Sequence, residues 1–379
     1  MTQLIIPDFQ PVPFPAPLPL LNLLLVLGFF LHALPMNVSL GGSLVAGIYL
    51  LTGKKGSYTN RIGHALAISL PIFISFAITQ GIVPLLFLQL VYGPLYYTSS
   101  ILMGTPWILL LIVLMLGYYG CYIYKFRHVQ LGPLAAWILI GVSLLFGCIG
   151  FLFSNNMTLM LHPETWRNVV HHGGVGNFFN TGDVSLLPRF LHFALASLAV
   201  TGLAIGCFGL YWRSREAEYG NWLIKQGAGL FSLITVIQVG VGGWFLFSLP
   251  KGILHNYMGH ETWGTVAFGS SMLLSLVALI SMLAAWKNGQ SGPFKVGLVS
   301  SVLVVLLMSW MRHLLREYSV NPFFKPESVP VNTQWDLLTV FIISAVGLLV
   351  YLGWLVKVSW KAFHDQPEPE QSLPQTSLT

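Results

Sequence analysis

Apolar and polar residues alternate along the chain as nine long apolar runs separated by short polar breaks, at 19–52, 62–92, 95–124, 132–154, 186–212, 222–249, 260–286, 295–316 and 334–360. Each run is long enough to cross a hydrocarbon core, for which a helix needs roughly 20 residues, so each is predicted to be a transmembrane helix. Pro35 in the first run and Pro71 and Pro84 in the second are expected to kink their helices rather than end them, because neighbouring helices can satisfy the freed carbonyls. In the fifth run Pro188 falls in the first turn, where a missing N–H costs nothing, and this places His192 about one turn inside an otherwise apolar helix. The proline-rich segment 1–18 lacks the basic region and small-residue cleavage site of a signal peptide and is expected to be retained. Residues 19–361 read as one helical membrane domain, and the polar, proline-bearing stretch 362–379 reads as a disordered tail.

Composition removes the soluble alternatives. Of 379 residues 55% are hydrophobic and 8% charged, with mean hydropathy +0.73, whereas soluble domains carry about a quarter charged residues. The chain is therefore read as an all-α, polytopic bundle in the lipid of a bacterial cytoplasmic membrane. Its net charge of +6 does not imply nucleic acid, because two-thirds of the Lys and Arg fall in alternate loops: Lys54, Lys55 and Arg61; Lys125 and Arg127; Arg213, Arg215 and Lys225; Lys287 and Lys295; Lys357 and Lys361. By the positive-inside rule these loops are cytoplasmic, which puts the N-terminus outside and the C-terminus inside. The three cysteines, Cys121, Cys148 and Cys207, lie in apolar runs and no C-x-x-C-H occurs, so neither a disulfide framework nor covalently attached haem is expected.

Counting from the cytoplasmic helix ends at 1.5 Å per residue, His32, His192 and His313 all lie about 27–30 Å up, near the outer surface. An imidazole at such depth needs a partner. Three of them at one level, drawn from helices far apart in sequence, suit b-type haem ligation in a membrane bundle. His255 and His260 start the seventh run, and His162, His171 and His172 occupy the outer loop before the fifth. Asp and Glu stay out of the apolar interiors, the nearest being Glu261 and Glu317 at outer helix ends, so no intramembrane carboxylate relay is expected and oxygen reduction at a useful rate is not. Gln80, Gln89 and Gln238 cannot titrate. Phosphate loops and hydrolytic motifs are absent, and Gly41–Gly42 and Gly242–Gly243 are expected to allow close helix approach.

Three segments carry a family resemblance. FFLHALPMNVSLGGSLVAGIYLLTGKK in the first run, RFLHFALASLAVTGLAIGCFGLYW in the fifth and SWMRHLLREYS in the eighth together resemble subunit I of the cytochrome bd quinol oxidases, as in a remote relative. The resemblance implies nine spans. It makes His192, in an F-x-H-x-x-x-A-x-x-x-x-T-G pattern, the ligand of a low-spin haem b and His32 the ligand of a high-spin haem. Aligning Arg316 on the family's arginine puts His313 where a glutamate ligates a further haem. Met258, His260 and Met272 are the candidates for the second ligand of the His192 haem. The resemblance thus implies two or three haems, of which one could be a d-type chlorin.

Departures from the family matter as much. The long outer loop that oxidises quinol shrinks to about a dozen residues around Lys251–Gly259, within ordinary connector lengths, and the second-span carboxylates give way to Val83–Leu88 and Gln89. The expected function is therefore electron transfer by b haems near the outer face, between a quinol or redox subunit and a cytochrome c. The alternatives are a bd-type quinol oxidase or quinol dehydrogenase subunit, and a haem-free solute transporter. Against the transporter, no inverted repeat or paired broken helix is evident.

Overall fold

The computed structural model describes residues 12–364, so most of the stretch read as a tail lies outside the described residues. Nine long helices are found among them: α1 (Leu18–Thr52), α2 (Tyr58–Met103), α3 (Thr105–Leu131), α4 (Leu134–Leu161), α5 (Leu186–Trp212), α6 (Ala217–Phe247), α7 (Thr262–Asn288), α8 (Ser291–Val320) and α9 (Trp335–His364). All nine are long and apolar enough to cross a membrane, which makes this a multi-pass membrane protein. α1 passes through Pro35 and α2 through Pro71 and Pro84 without ending.

The expected break between the second and third runs is instead a bend. Tyr92 has φ −120° and ψ 29°, and α2 continues through Pro94 to Met103. Proline lacks an N–H and its ring crowds the carbonyl four residues earlier; a local bend relieves both. Burial of Val91, Tyr92, Leu95 and Tyr96 on either side holds the two halves together. At 46 residues α2 is about 70 Å long, so it projects beyond any bilayer. α4 and α8 also outrun their apolar stretches, and the extension of α8 to Val320 brings Glu317 into the helix.

α1 is the axle of the bundle. It packs on α2, α4, α5 and α8, while α3 pairs with α4, α5 with α6, and α7 with α6 and α8. α1 and α5 approach closely where a side chain at Gly41 would begin 2.3 Å from the Ser197 carbonyl oxygen; glycine lets the backbones touch. α9 is exposed along most of its described length. At the end where α1 begins, the N-terminal segment is stitched to the connector before α9: Phe14 N–H donates to Pro330 O at 2.8 Å and Asn332 N–H to Phe14 O at 2.9 Å. At the opposite, basic end Arg61 donates to Glu216 at 2.5 Å and lies over the rings of Trp212 and Tyr219.

The α1–α5 contact predicts a contrast. Gly41→Ala should lower the thermal unfolding midpoint in detergent, with a penalty of about 1–3 kcal/mol for overpacking. Gly42→Ala, whose added carbon finds its nearest neighbours at an ordinary 3.6 Å, should leave the midpoint unchanged or raise it.

Candidate functional site

α1 and α2 supply the first wall of the site. His32 Nδ1 lies 2.8 Å from the Ala77 carbonyl; a carbonyl only accepts, so Nδ1 carries the proton and Nε2 keeps its lone pair. A backbone carbonyl orienting an imidazole in this way is the usual support for a metal-ligating histidine. The ring fits because Gly81 has no side chain: a Cβ there would lie 2.8 Å from Nδ1.

α8 supplies the second wall. Ser309, Arg312, His313 and Arg316 line one cavity and recur at i, i+3, i+4 and i+7, which is one face of a helix. His313 is 3% exposed and Arg316 6%. The Nε2 atom of His313 lies 3.1 Å from Glu317 Oε1 as an ion-pair contact, and Nδ1 is buried without a partner. Arg312 stacks over Phe29 at 4.3 Å and Phe193 at 5.5 Å, and Arg316 over Tyr92 at 5.2 Å. Arg189, in the first turn of α5, closes the cavity from a third side.

Together these helices enclose a cavity of about 450 Å³, lined by His32, His313, Arg189, Arg312 and Arg316 in an otherwise largely apolar wall. His313 Nδ1, Arg316 Nη1 and Arg189 Nε are buried without a hydrogen-bond partner. Each such atom costs about 1–3 kcal/mol if left unsatisfied. Among the described residues two carboxylates act by charge on these guanidinium groups, Asp183 on Arg189 and Glu317 on Arg316. The cavity therefore suits a flat apolar guest that brings a Lewis-acidic centre and anionic groups. Among the described residues no three His, Cys, Asp or Glu side chains converge as a cage for a bare metal ion.

His192 does not line this cavity and faces α6 instead. Its ring lies against Gly242 of α6, where a Cβ would meet it at 3.2 Å, and 6.3 Å from the ring of Phe245. Its Nδ1 is also buried and unpartnered, and Gln238 of α6 donates to its main-chain carbonyl at 3.3 Å. Gly242 thus makes room for an imidazole rather than for close backbone packing. Met258 and Met272 are each 51% exposed and His260 is exposed. Met258 and His260 sit on a turn, Asn256–His260, that Tyr257 latches to α8 by donating to Met311 O at 2.8 Å. Burial pushes the Tyr257 phenol well above the ordinary tyrosine range, so it stays a donor.

The structure thus gathers His32, His313 and Arg316 at one cavity and sets His192, with His260, Met258 and Met272, apart from it. The sequence reading missed the roles of Arg189 and Arg312. The signal was present as two arginines and a histidine on one face of an apolar helix. Glu317, read as a helix end, proves to be the partner of His313. Glu317→Gln should destabilise the protein in thermal melts, by less than the 3–5 kcal/mol typical of breaking a fully buried pair, because the carboxylate side chain is 31% exposed.

No family model and no curated protein matches this chain. Among solved structures it is similar to a chain of the bd oxidase from Geobacillus thermodenitrificans, with a TM-score of 0.70 over 92% of this chain and 98% of that one, at 11% sequence identity. At that identity the likeness is one of fold: the nine-helix bundle expected from the resemblance is the bundle that is found.

Proposed function

We propose that this chain is a b-type haem protein of the bacterial cytoplasmic membrane, transferring electrons near the outer face between a quinol or redox subunit and a cytochrome c. One observation carries the reading: two oriented imidazoles and three guanidinium groups meet at a single largely apolar cavity. Haem asks for that combination, since its iron takes imidazole, its macrocycle takes apolar walls and its propionates take guanidinium groups. The fold shared with a bd oxidase supports it independently.

Bound haem supplies reversible one-electron chemistry at iron; the protein supplies ligation, burial and charge. His32, whose Nδ1–H donates to the Ala77 carbonyl, would offer its Nε2 lone pair, and His313, with Glu317 beside Nε2, would offer Nδ1. Arg189, Arg312 and Arg316 bind carboxylates and, as fixed positive charges in a low-dielectric site, favour the reduced state. His192 would hold a further haem on the α6 side, for which His260, Met258 and Met272 are the candidates for a second ligand. Two or three haems are accommodated in this way, one of them open to a d-type chlorin. The exposed apolar face of α9 leaves area for a redox partner subunit.

The Glu317–His313 pair favours one second reading. A carboxylate beside a prospective ligand is a proton donor for oxygen chemistry, which would make the chain a bd-type quinol oxidase subunit. Reduced-minus-oxidised spectra of the purified protein test the haem assignment: His192→Ala should remove one six-coordinate haem while the protein still inserts in the membrane, because apolar spans insert without cofactor. An unchanged spectrum would falsify the role of His192. Oxygen consumption by the reduced protein should remain far below oxidase rates; rapid, cyanide-sensitive turnover would establish the second reading instead.

A further inference from the structure

The connector between α4 and α5 carries a group of side chains that the proposed function does not use. His162 caps the end of α4, and Glu164 follows in a single 3-10 turn, Pro163–Thr165. Trp166 fixes this turn by donating from its indole to Leu159 O at 2.9 Å. His162 then bridges two carboxylates, with Nδ1 2.9 Å from Glu164 Oε1 and Nε2 3.3 Å from Asp183 Oδ2. Exposure falls steadily along the chain of groups, from 50% for the Glu164 side chain through 27% for His162 to 8% for Asp183. The next charged group inward is Arg189, 6% exposed, on which the Asp183 charge acts directly and which lines the cavity.

Asp183 divides its two oxygens between two tasks. Oδ1 accepts from both the N–H and the hydroxyl of Ser185 at 2.7 Å, holding the entry to α5. Oδ2 faces His162 Nε2, with Asn180 Nδ2 at a marginal 3.5 Å. A purely structural aspartate needs only Oδ1. Beside it Asn155, fully buried, accepts from Asn180 N at 2.8 Å yet leaves Nδ2 unpartnered, and Arg189 Nε is also buried without a partner. Two polar atoms with spare capacity are thus found on this side of the bundle, and one of them belongs to Arg189 of the cavity wall.

We propose that Glu164, His162 and Asp183 form a proton-exchange route from the outer surface to the arginine-lined cavity. The protonated Glu164 carboxyl gives its proton to His162 Nδ1, the resulting imidazolium gives its Nε2 proton to Asp183 Oδ2, and exchange with water, which takes the Nδ1 proton and returns one to Nε2, restores the starting tautomer. Glu164 regains a proton from water, so one proton has moved inward and nothing is oxidised or reduced. The other charged and titratable groups facing this route are Arg189 on α5, Arg312 and Arg316 on α8 and Tyr257 before α7. On the haem reading, on which only this coupling rests, Asp183 takes up its proton when the cavity gains an electron, because the added negative charge acts on the same Arg189 that the Asp183 charge acts on.

A pH jump on the purified full-length protein, followed by infrared absorption of carboxyl groups, tests the route whether or not haem is present. Asp183→Asn keeps an oxygen for Ser185 and should remove one buried carboxyl band. His162→Gln and the surface variant Glu164→Gln should each slow protonation of that band at least tenfold. Unchanged rates in both variants, or no band lost in Asp183→Asn, overturn the route. In redox titrations the haem midpoint potential should fall with rising pH in the wild type and lose most of that dependence in Asp183→Asn. Equal dependence in both overturns the coupling, whereas a protein without haem bands overturns the functional reading and leaves the infrared result to judge the route.

Discussion

A charged or imidazole side chain inside a hydrocarbon slab must find a partner, because neither water nor lipid can satisfy it there. That constraint orders the half of this bundle in which α5 begins and α8 ends. The guanidinium groups of Arg312 and Arg316 lie on aromatic faces, Arg189 answers Asp183 and Phe245, and His32 and His313 each spend one ring nitrogen on a protein acceptor. Three of the atoms left unpaired, Arg189 Nε, His313 Nδ1 and Arg316 Nη1, belong to side chains that line one cavity. The chemistry of a guest is written in that remainder.

Holding such a cavity open requires rigid walls. α1 provides them by its central position, with Gly41 letting α5 come to backbone contact so that Arg189 reaches the same space as His32. The bend of α2 at Tyr92 serves the same end, since it turns the upper part of that helix while keeping the Tyr92 ring under Arg316. Small residues thus set the distances, and aromatic residues take up the charge.

The division of the histidines is the less expected outcome. Residues 189, 190, 193 and 194 of α5 face the α1 side of the bundle, and His192 faces α6. One helix therefore serves two neighbouring compartments from opposite faces. The connector between α4 and α5 contributes a third element, in which burial rather than sequence position distinguishes Asp183 from the surface acids.

Nine membrane-length helices were legible in the sequence, because the apolar period and the roughly 20-residue requirement are local properties of the chain. So was the likeness to the bd oxidases, which holds as fold. Helix ends were less legible: α2 runs on to Met103 and α8 to Val320, because backbone hydrogen bonding continues past the last apolar residue wherever the next turn finds packing. Which imidazoles share a cavity could not be read from depth alone, since depth fixes one coordinate and the facing direction depends on how helices rotate against each other. Only tertiary packing turned His32 and His313 toward one space and His192 toward another, and only it brought Asp183 to His162 across a long connector; the His313–Glu317 pair, by contrast, is an i,i+4 pair on one helix and follows from the sequence once that helix is extended to Val320.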